Sequence, residues 1–364
     1  MARSQPQAGA QSPQRAPSPL TTGIATPPPP PRSPLVTELM SRLRSQRTLL
    51  AGLIVLLVVI FSVTNPNFLN PGFVIFPLLR EASIIVIVGL AQMCALSIGH
   101  MNLAVGRMAA VGAMVAGAMY QLLGVPLMVG LIAGTIAGGL LGALAGFIII
   151  KSGVNSFVVT LALDFALLGF VTIIYRTFTE AAAFTVKPDG MDVWRNGSFG
   201  DVCAFGYCGP SAIPLMVIPT IIVACIVHFI YTRSRAGREL IATGANIKAG
   251  QLSGIATDRR VLLAHTMSGL LAGLAGIMLA FASGSFSAAI GSEFMLPSFL
   301  APVLGGTLLA GGVVSVLGTV FGTLRTGVIR SGLAVQGLGV ETLNMALGAV
   351  LLGALALQRF RGRR

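Results

Sequence analysis

The chain has 364 residues, of which 54% are hydrophobic and only 10% charged, with 45 glycines and a single tryptophan. Its mean hydropathy of +0.87 excludes an ordinary soluble domain, because polar residues must still cover a water-facing surface. The formal charge of +13 suggests nucleic acid at first sight, but the arginines lie in short loops and at the termini, with no basic stripe interleaved with aromatics. That distribution follows the positive-inside rule and excludes nucleic acid as a partner.

Residues 1–45 open the chain with a Pro-, Ser-, Gln- and Ala-rich stretch that includes "PPPPPR" at Pro27 to Arg32. Such a composition cannot bury a core and predicts a disordered cytoplasmic tail. It has none of the charged start, short apolar run and small-residue cleavage site of a secretory signal. Apolar runs of about 18 or more residues are long enough to cross a hydrocarbon layer of about 30 Å. Ten such candidates follow, near 49–64, 83–99, 103–121, 125–150, 157–175, 212–231, 261–282, 294–310, 313–330 and 340–358. The fold class expected is therefore an all-α polytopic membrane protein, with a transmembrane domain over 46–358 and a basic C-terminus over 359–364.

Charge tests the count. Ten spans put both termini on one side, together with Arg42, Arg44, Arg47, Lys151, the basic residues of 233–260 and Arg359, Arg361, Arg363 and Arg364. The acids Glu81, Glu180, Asp189, Asp192, Asp201 and Glu293 fall on the other. Both termini are expected to be cytoplasmic, with an external loop over about 176–211 and a cytoplasmic loop over 232–260. The external loop carries Cys203 and Cys208. In an oxidising compartment this pair is expected to form a small disulfide, and with no His or third Cys beside it zinc is not expected.

Glycine recurs every four residues at Gly130, Gly134, Gly138, Gly142 and Gly146, and again at Gly269, Gly273 and Gly276. This spacing leaves one helix face bare, so a neighbouring backbone approaches closely. These glycines build the bundle and do no chemistry.

Motifs for catalysis are missing. Lys151, Lys187 and Lys248 are the only lysines, and none sits in the Gly-rich setting that wraps nucleotide phosphates. There is no His-Glu-x-x-His and no Gly-x-Ser-x-Gly. Asp164 is the only carboxylate deep in an expected span, so a paired-acid mechanism has no second member. The chain is not expected to be an enzyme, nor to hold a cofactor or metal of its own.

"GRELIATGANIKAGQLSGI", residues 237 to 255, is a polar segment set between two apolar runs. Ala242, Ala245, Ala249, Leu252 and Ile255 give it an apolar, small-residue face suited to a groove on a partner protein. A solvated connector is the plainer reading of the same residues. The segment resembles the cytoplasmic coupling segment of ABC-importer permeases of the ribose/monosaccharide type, a superfamily shared with branched-chain amino-acid permeases. Three further stretches agree in order: "SIGHMNLAVGRMAAVGAM", "NSFVVTLAL", and "HTMSGLLAGLAGIMLA" followed by "VLGGTLLAGGVVSVLGTVFGT". The resemblance spans roughly residues 45 to 358.

The resemblance implies a type II importer-like bundle that works with two ABC ATPase subunits, which bind ATP and Mg, with a periplasmic solute-binding protein and with a second permease subunit, in the bacterial inner membrane. It implies a coupling helix around Ala245 to Leu252, including Asn246 and Ala249, with Gly244 and Gly254 supplying turns at its ends. It also implies uptake of a monosaccharide or similar polyhydroxylated solute. Because hydroxyls need donors and acceptors, Gln92, His100, Asn102, Thr160 and Asp164 are the expected path residues; interhelical hydrogen bonding is the alternative role for each. The chain departs from the family pattern at His100-Met101-Asn102, where Gly-Ile-Asp is usual, at Val314, where glycine is usual, and at Asp164, a position commonly uncharged. Left without a counter-charge, Asp164 is expected to be hydrated, protonated or paired with His100 or His265. An amino acid, nucleoside or furanosyl signal molecule is the alternative solute. An ion-coupled secondary transporter is the alternative of another class, and a membrane scaffold fits four ordered motifs least well.

Overall fold

A computed structural model describes residues 46–337, apart from 180–182, 202, 205 and 206, together with 342, 345, 348 and 349. The tail over 1–45, the tenth expected span at 340–358 and the C-terminus over 359–364 therefore lie outside the described residues or almost wholly so. The twelve helices described are α1 (Gln46–Thr64), α2 (Phe76–Leu96), α3 (Val105–Leu123), α4 (Leu127–Ser152), α5 (Ser156–Phe178), α6 (Met191–Asn196), α7 (Val217–Arg233), α8 (Arg235–Ala245), α9 (Ile247–Leu252), α10 (Thr257–Ser283), α11 (Met295–Leu304) and α12 (Val316–Val335). Each of the first nine expected spans overlaps one of them.

Among the described residues, length and apolarity are enough for a crossing in four segments, Pro71–Leu96, α4, α5 and α10, or in five if α7 and α8, bent by 71°, form one broken span. The expected eighth span, 294–310, is not continuous. Its helix α11 has ten residues, about 15 Å at 1.5 Å each, and irregular chain then runs through Gly305–Gly306 and Gly311–Gly312 to α12. Four glycines, three of them at φ +91°, +86° and +79°, make that stretch a poor helix, which apolarity alone does not reveal.

The ends of the helices follow from local chemistry. Gly124 and Gly153 adopt φ of +62° and +66° and stop α3 and α4. Asn155, Ser234 and Ser315 accept backbone N–H groups at the starts of α5, α8 and α12. Only Gly124, Val125 and Pro126 separate α3 from α4, so the two pack antiparallel.

α10 is the centre of the bundle and packs on α2, α3 and α4. The bare glycine faces meet as their spacing predicts: a Cβ at Gly138 would lie 2.8 Å from the Gly273 Cα, and one at Gly269 2.8 Å from the Gly142 Cα. Around this seam Ile87, Ala91, Met108, Ala109, Ala272 and Ile277 are buried. At the far end of α5 and α10, β1 (Ala183–Phe184) pairs antiparallel with β4 (Phe286–Ser287), and the Tyr175 hydroxyl donates to the Phe286 carbonyl at 2.9 Å. α5, by contrast, presents Phe157, Phe165, Phe170 and Ile173 outward, as a lipid- or subunit-facing helix does. In the expected external loop, β2 (Cys203–Ala204) and β3 (Tyr207–Cys208) pair antiparallel with Cys203 opposite Cys208; the two side chains lie outside the described residues.

Candidate functional site

Two irregular connections between helices touch each other inside the bundle. Ser97–Ala104 joins α2 to α3 as irregular chain, yet Ser97, Ile98, Asn102, Leu103 and Ala104 are all buried. Gly305–Ser315 joins α11 to α12. Irregular backbone inside an apolar bundle leaves N–H and C=O groups that need partners.

The expected path residues supply most of them. With its amide oriented to satisfy both partners, Gln92 donates to the Asn102 carbonyl at 2.8 Å and accepts from the Asn102 N–H at 3.2 Å. Asn102 Oδ1 accepts from the Ala104 N–H at 3.1 Å, and its Nδ2 donates to Ser268 Oγ at 2.9 Å. Thr160 Oγ1 accepts from the Leu103 N–H at 3.1 Å, while Ser156 Oγ accepts from the Met101 N–H at 3.2 Å. Gln92, Asn102 and Thr160 are fully buried. In this conformation they brace the break with their polar groups.

The second break docks on the first through backbone. The Gly312 N–H donates to the Ser97 carbonyl at 3.1 Å, and a Cβ at Gly99 (φ +74°) would lie 2.8 Å from the Ala310 carbonyl oxygen. Tyr231 of α7 donates to Ser97 Oγ at 3.1 Å, and Ser315 donates its N–H to Thr307 Oγ1 at 3.3 Å.

Charge and imidazole pair off separately. His100 Nδ1 and His265 Nε2 lie 3.2 Å apart, one donating and the other accepting. His265 is fully buried, and its Nδ1 has no partner among the described residues. Asp164 does not reach either histidine. Its counter-charge is Arg107 on α3, with Nε 3.6 Å from Oδ1, which corrects the expectation of a histidine partner. The signal was present in the sequence, since Arg107 lies within the expected span at 103–121 and is the cation there. Among the described residues no three His, Cys, Asp or Glu side chains converge as a metal site.

The polar segment is two helices, with a break at Asn246. Asn246 is extended, closes α8 and caps α9 by accepting the Ala249 N–H at 3.0 Å. The helix expected from Ala245 to Leu252 is therefore α9 alone, Ile247–Leu252, with Ala245 ending α8. Gly254, at φ +78°, supplies the expected turn. Gly244 does not: it is helical, and a Cβ there would lie 2.7 Å from the Gly312 nitrogen and 2.9 Å from the Ile98 Cα. Gly244 is glycine because α8 rests against both breaks at once. Ala249 is exposed, and Leu252 is 92% exposed. Glu239 pairs within α8 with Arg235 and ties α8 to α10 through Arg260, each Nε at 2.8 Å. The Arg235 hydrogen bond foremost, against a desolvation penalty and with help from Arg260, holds the Glu239 carboxyl below its usual range.

Over residues 74–355 the chain matches the family model described as the permease component of the branched-chain amino acid transport system. The chain belongs to this family of transport permeases. It is 30% identical over 286 residues to the ribose import permease protein of Escherichia coli (strain K12), covering 78% of this chain and 84% of the relative. Against the ribose import permease protein of Bacillus subtilis (strain 168) the identity is 33% over 273 residues, 75% and 80% of the two chains. The D-allose transport system permease protein of Escherichia coli (strain K12) is 28% identical over 282 residues, 76% and 82%. No solved structure matches the chain. Membership and the apolar helices together make this a multi-pass membrane protein with a helical-bundle fold.

Proposed function

We propose that the chain is the membrane-spanning subunit of an ATP-binding cassette importer, and that its solute is a monosaccharide or a similar polyhydroxylated molecule. The observation that carries this reading is the family match along residues 74–355 together with relatives named for ribose and D-allose transport. Two ATPase subunits would bind ATP and Mg, a periplasmic binding protein would deliver solute, and a second permease subunit would complete the pathway. The permease would sit in the bacterial inner membrane with ten spans and both termini cytoplasmic, the reading that keeps its arginine clusters on one side.

The coupling segment supports this reading. α9 offers an exposed apolar side chain, Leu252, beside small exposed residues at Ala245 and Ala249, chemistry suited to a cleft on an ATPase. Behind it, Gly244 rests on both breaks, so a push on α8 arrives where the irregular chain is braced. Gln92, Asn102 and Thr160 act on the path by positioning the Ser97–Ala104 break, whereas His100 and Asp164, both partly exposed, face it. Discontinuous helices are where membrane transporters place solute sites.

Reconstitution of the permease with its ATPase and binding protein in proteoliposomes tests the proposal. ATP-driven accumulation of ribose, allose or fructose is the expected result. Accumulation without ATP would return the chain to the ion-coupled class, and ATP-driven accumulation of leucine in place of any sugar would overturn the solute.

A further inference from the structure

Arg107 and Asp164 hold opposite charges inside the bundle but are poorly spent on each other. Asp164 lies eight residues beyond the start of α5 at Ser156, about 12 Å along the helix axis, and Arg107 lies in the first turn of α3. A charge at such a depth costs about 2.5–3.5 kcal/mol on insertion scales, so a pair kept only to offset that cost would close into the short, two-pronged contact that guanidinium and carboxylate favour. This pair does not. Its one contact is 3.6 Å long, from Nε to Oδ1, and the two side chains keep 17% and 25% of their surface open. Among the described residues neither side chain has another hydrogen-bond partner, which leaves most of the guanidinium's five N–H donors and one carboxylate oxygen unused.

We propose that the Arg107–Asp164 pair reads the hydroxyls of the solute as it passes the break between α2 and α3. This rests on the monosaccharide reading above. A sugar hydroxyl donates and accepts at once, so it can accept from a guanidinium N–H and donate to the carboxylate oxygen that the 3.6 Å contact leaves unused. Adjacent hydroxyls bridge the two groups without either charge losing its counter-ion. Of the other expected path residues, Gln92, Asn102 and Thr160 offer no comparable reserve, since they are bonded to the Asn102–Ala104 backbone or, for Asn102, also to Ser268. Arg107 and Asp164 are thus the part of the seam that is both charged and open.

The test uses the complete importer in proteoliposomes, with its binding protein saturated so that differences arise at the permease. Ribose, 2-deoxyribose and leucine are the probes. Asp164→Asn and Arg107→Lys are expected to lower ribose turnover by about tenfold or more, while the ratio of ribose to 2-deoxyribose turnover falls toward one. Arg107→Lys keeps the charge pair but loses the planar fork, so it separates hydroxyl reading from a structural ion pair even where Asp164→Asn fails to assemble. Equal losses for both sugars, or unchanged turnover in the lysine variant, would overturn the proposal while leaving the monosaccharide reading intact. A wild-type importer that moves leucine and neither sugar would overturn both.

Discussion

Replacing Gly244 by alanine adds one methyl group at the point where α8 meets both breaks. The new Cβ would overlap the Ser97 carbonyl oxygen, and it would stand 2.7 Å from the Gly312 nitrogen and 2.9 Å from the Ile98 Cα. All three are backbone atoms, so no rotamer change relieves the collision, and the Gly312 N–H to Ser97 carbonyl bond at 3.1 Å is the contact most directly disturbed. Overpacking a fitted contact costs typically about 1–3 kcal/mol, equivalent to a shift of about 5- to 150-fold between two conformations. Thermal unfolding of the purified permease in detergent, followed by solute-stimulated ATPase activity of the reconstituted importer, measures both consequences. A lowered melting temperature with stimulated ATPase reduced by at least about fivefold is expected. Gly169→Ala serves as the control, because Gly169 is helical and a Cβ there meets nothing within 4 Å; it should be neutral or stabilising by up to about 1 kcal/mol. Indistinguishable behaviour of the two variants would refute the role given to the three-backbone junction.

Ala249→Trp places a large ring on exposed α9 and should abolish stimulated ATP hydrolysis while leaving the fold of the permease intact; normal stimulation would reduce the segment to a connector. Asn102→Ala removes the partners of Ser268 and the Ala104 N–H inside a buried seam, and a loss of about 1–3 kcal/mol is expected in the same unfolding assay. Acidification should release α8 from α10. Glu239 titrates below its usual range when folded, so its tie holds above the ordinary carboxylate pKa of about 4.3 and is lost only as pH falls through the lowered value; Glu239→Gln should remove the pH dependence of α8 mobility read by a spin label at Ala242, which is exposed on α8. Thiol labelling of the external loop without reductant should leave Cys203 and Cys208 unmodified, because antiparallel partners stand within the Cα spacing of a disulfide.

Each of the first nine apolar runs falls on a helix, because apolarity over about 20 residues is a local demand, although among the described residues only four or five helices are long and apolar enough to cross a membrane. The glycine spacing at Gly138, Gly142, Gly269 and Gly273 was equally legible, since a bare face is set by the helical period alone. What escaped was the interruption of helices. Nothing in the apolarity of 294–310 shows that α11 ends at Leu304, and the expected span at 83–99 overran Leu96 into the first break. Gly99, Gly311 and Gly312 held that signal, but it becomes readable only when the chain brings them together. Among the site residues, Gln92, Asn102 and Thr160 were found through their polarity, yet their bonding to the backbone of 102–104 depends on contacts between α2, α3 and α5. Arg107 was missed as the partner of Asp164 because it was weighed as part of a family motif and not as a charge within a span.

The bond between Ser97 and Gly312 also has a bearing on how the protein is made. The chain is synthesised from its N-terminus, so α2, α3 and α8 are made before the ribosome reaches Gly312. Until then the Ser97 carbonyl and the bend at Gly99 have no companion strand, and the seat prepared by Gly244 is empty. A nascent or truncated chain ending before Gly305 would leave this junction unfilled, with a backbone group unpaired at the proposed cytoplasmic end of the bundle.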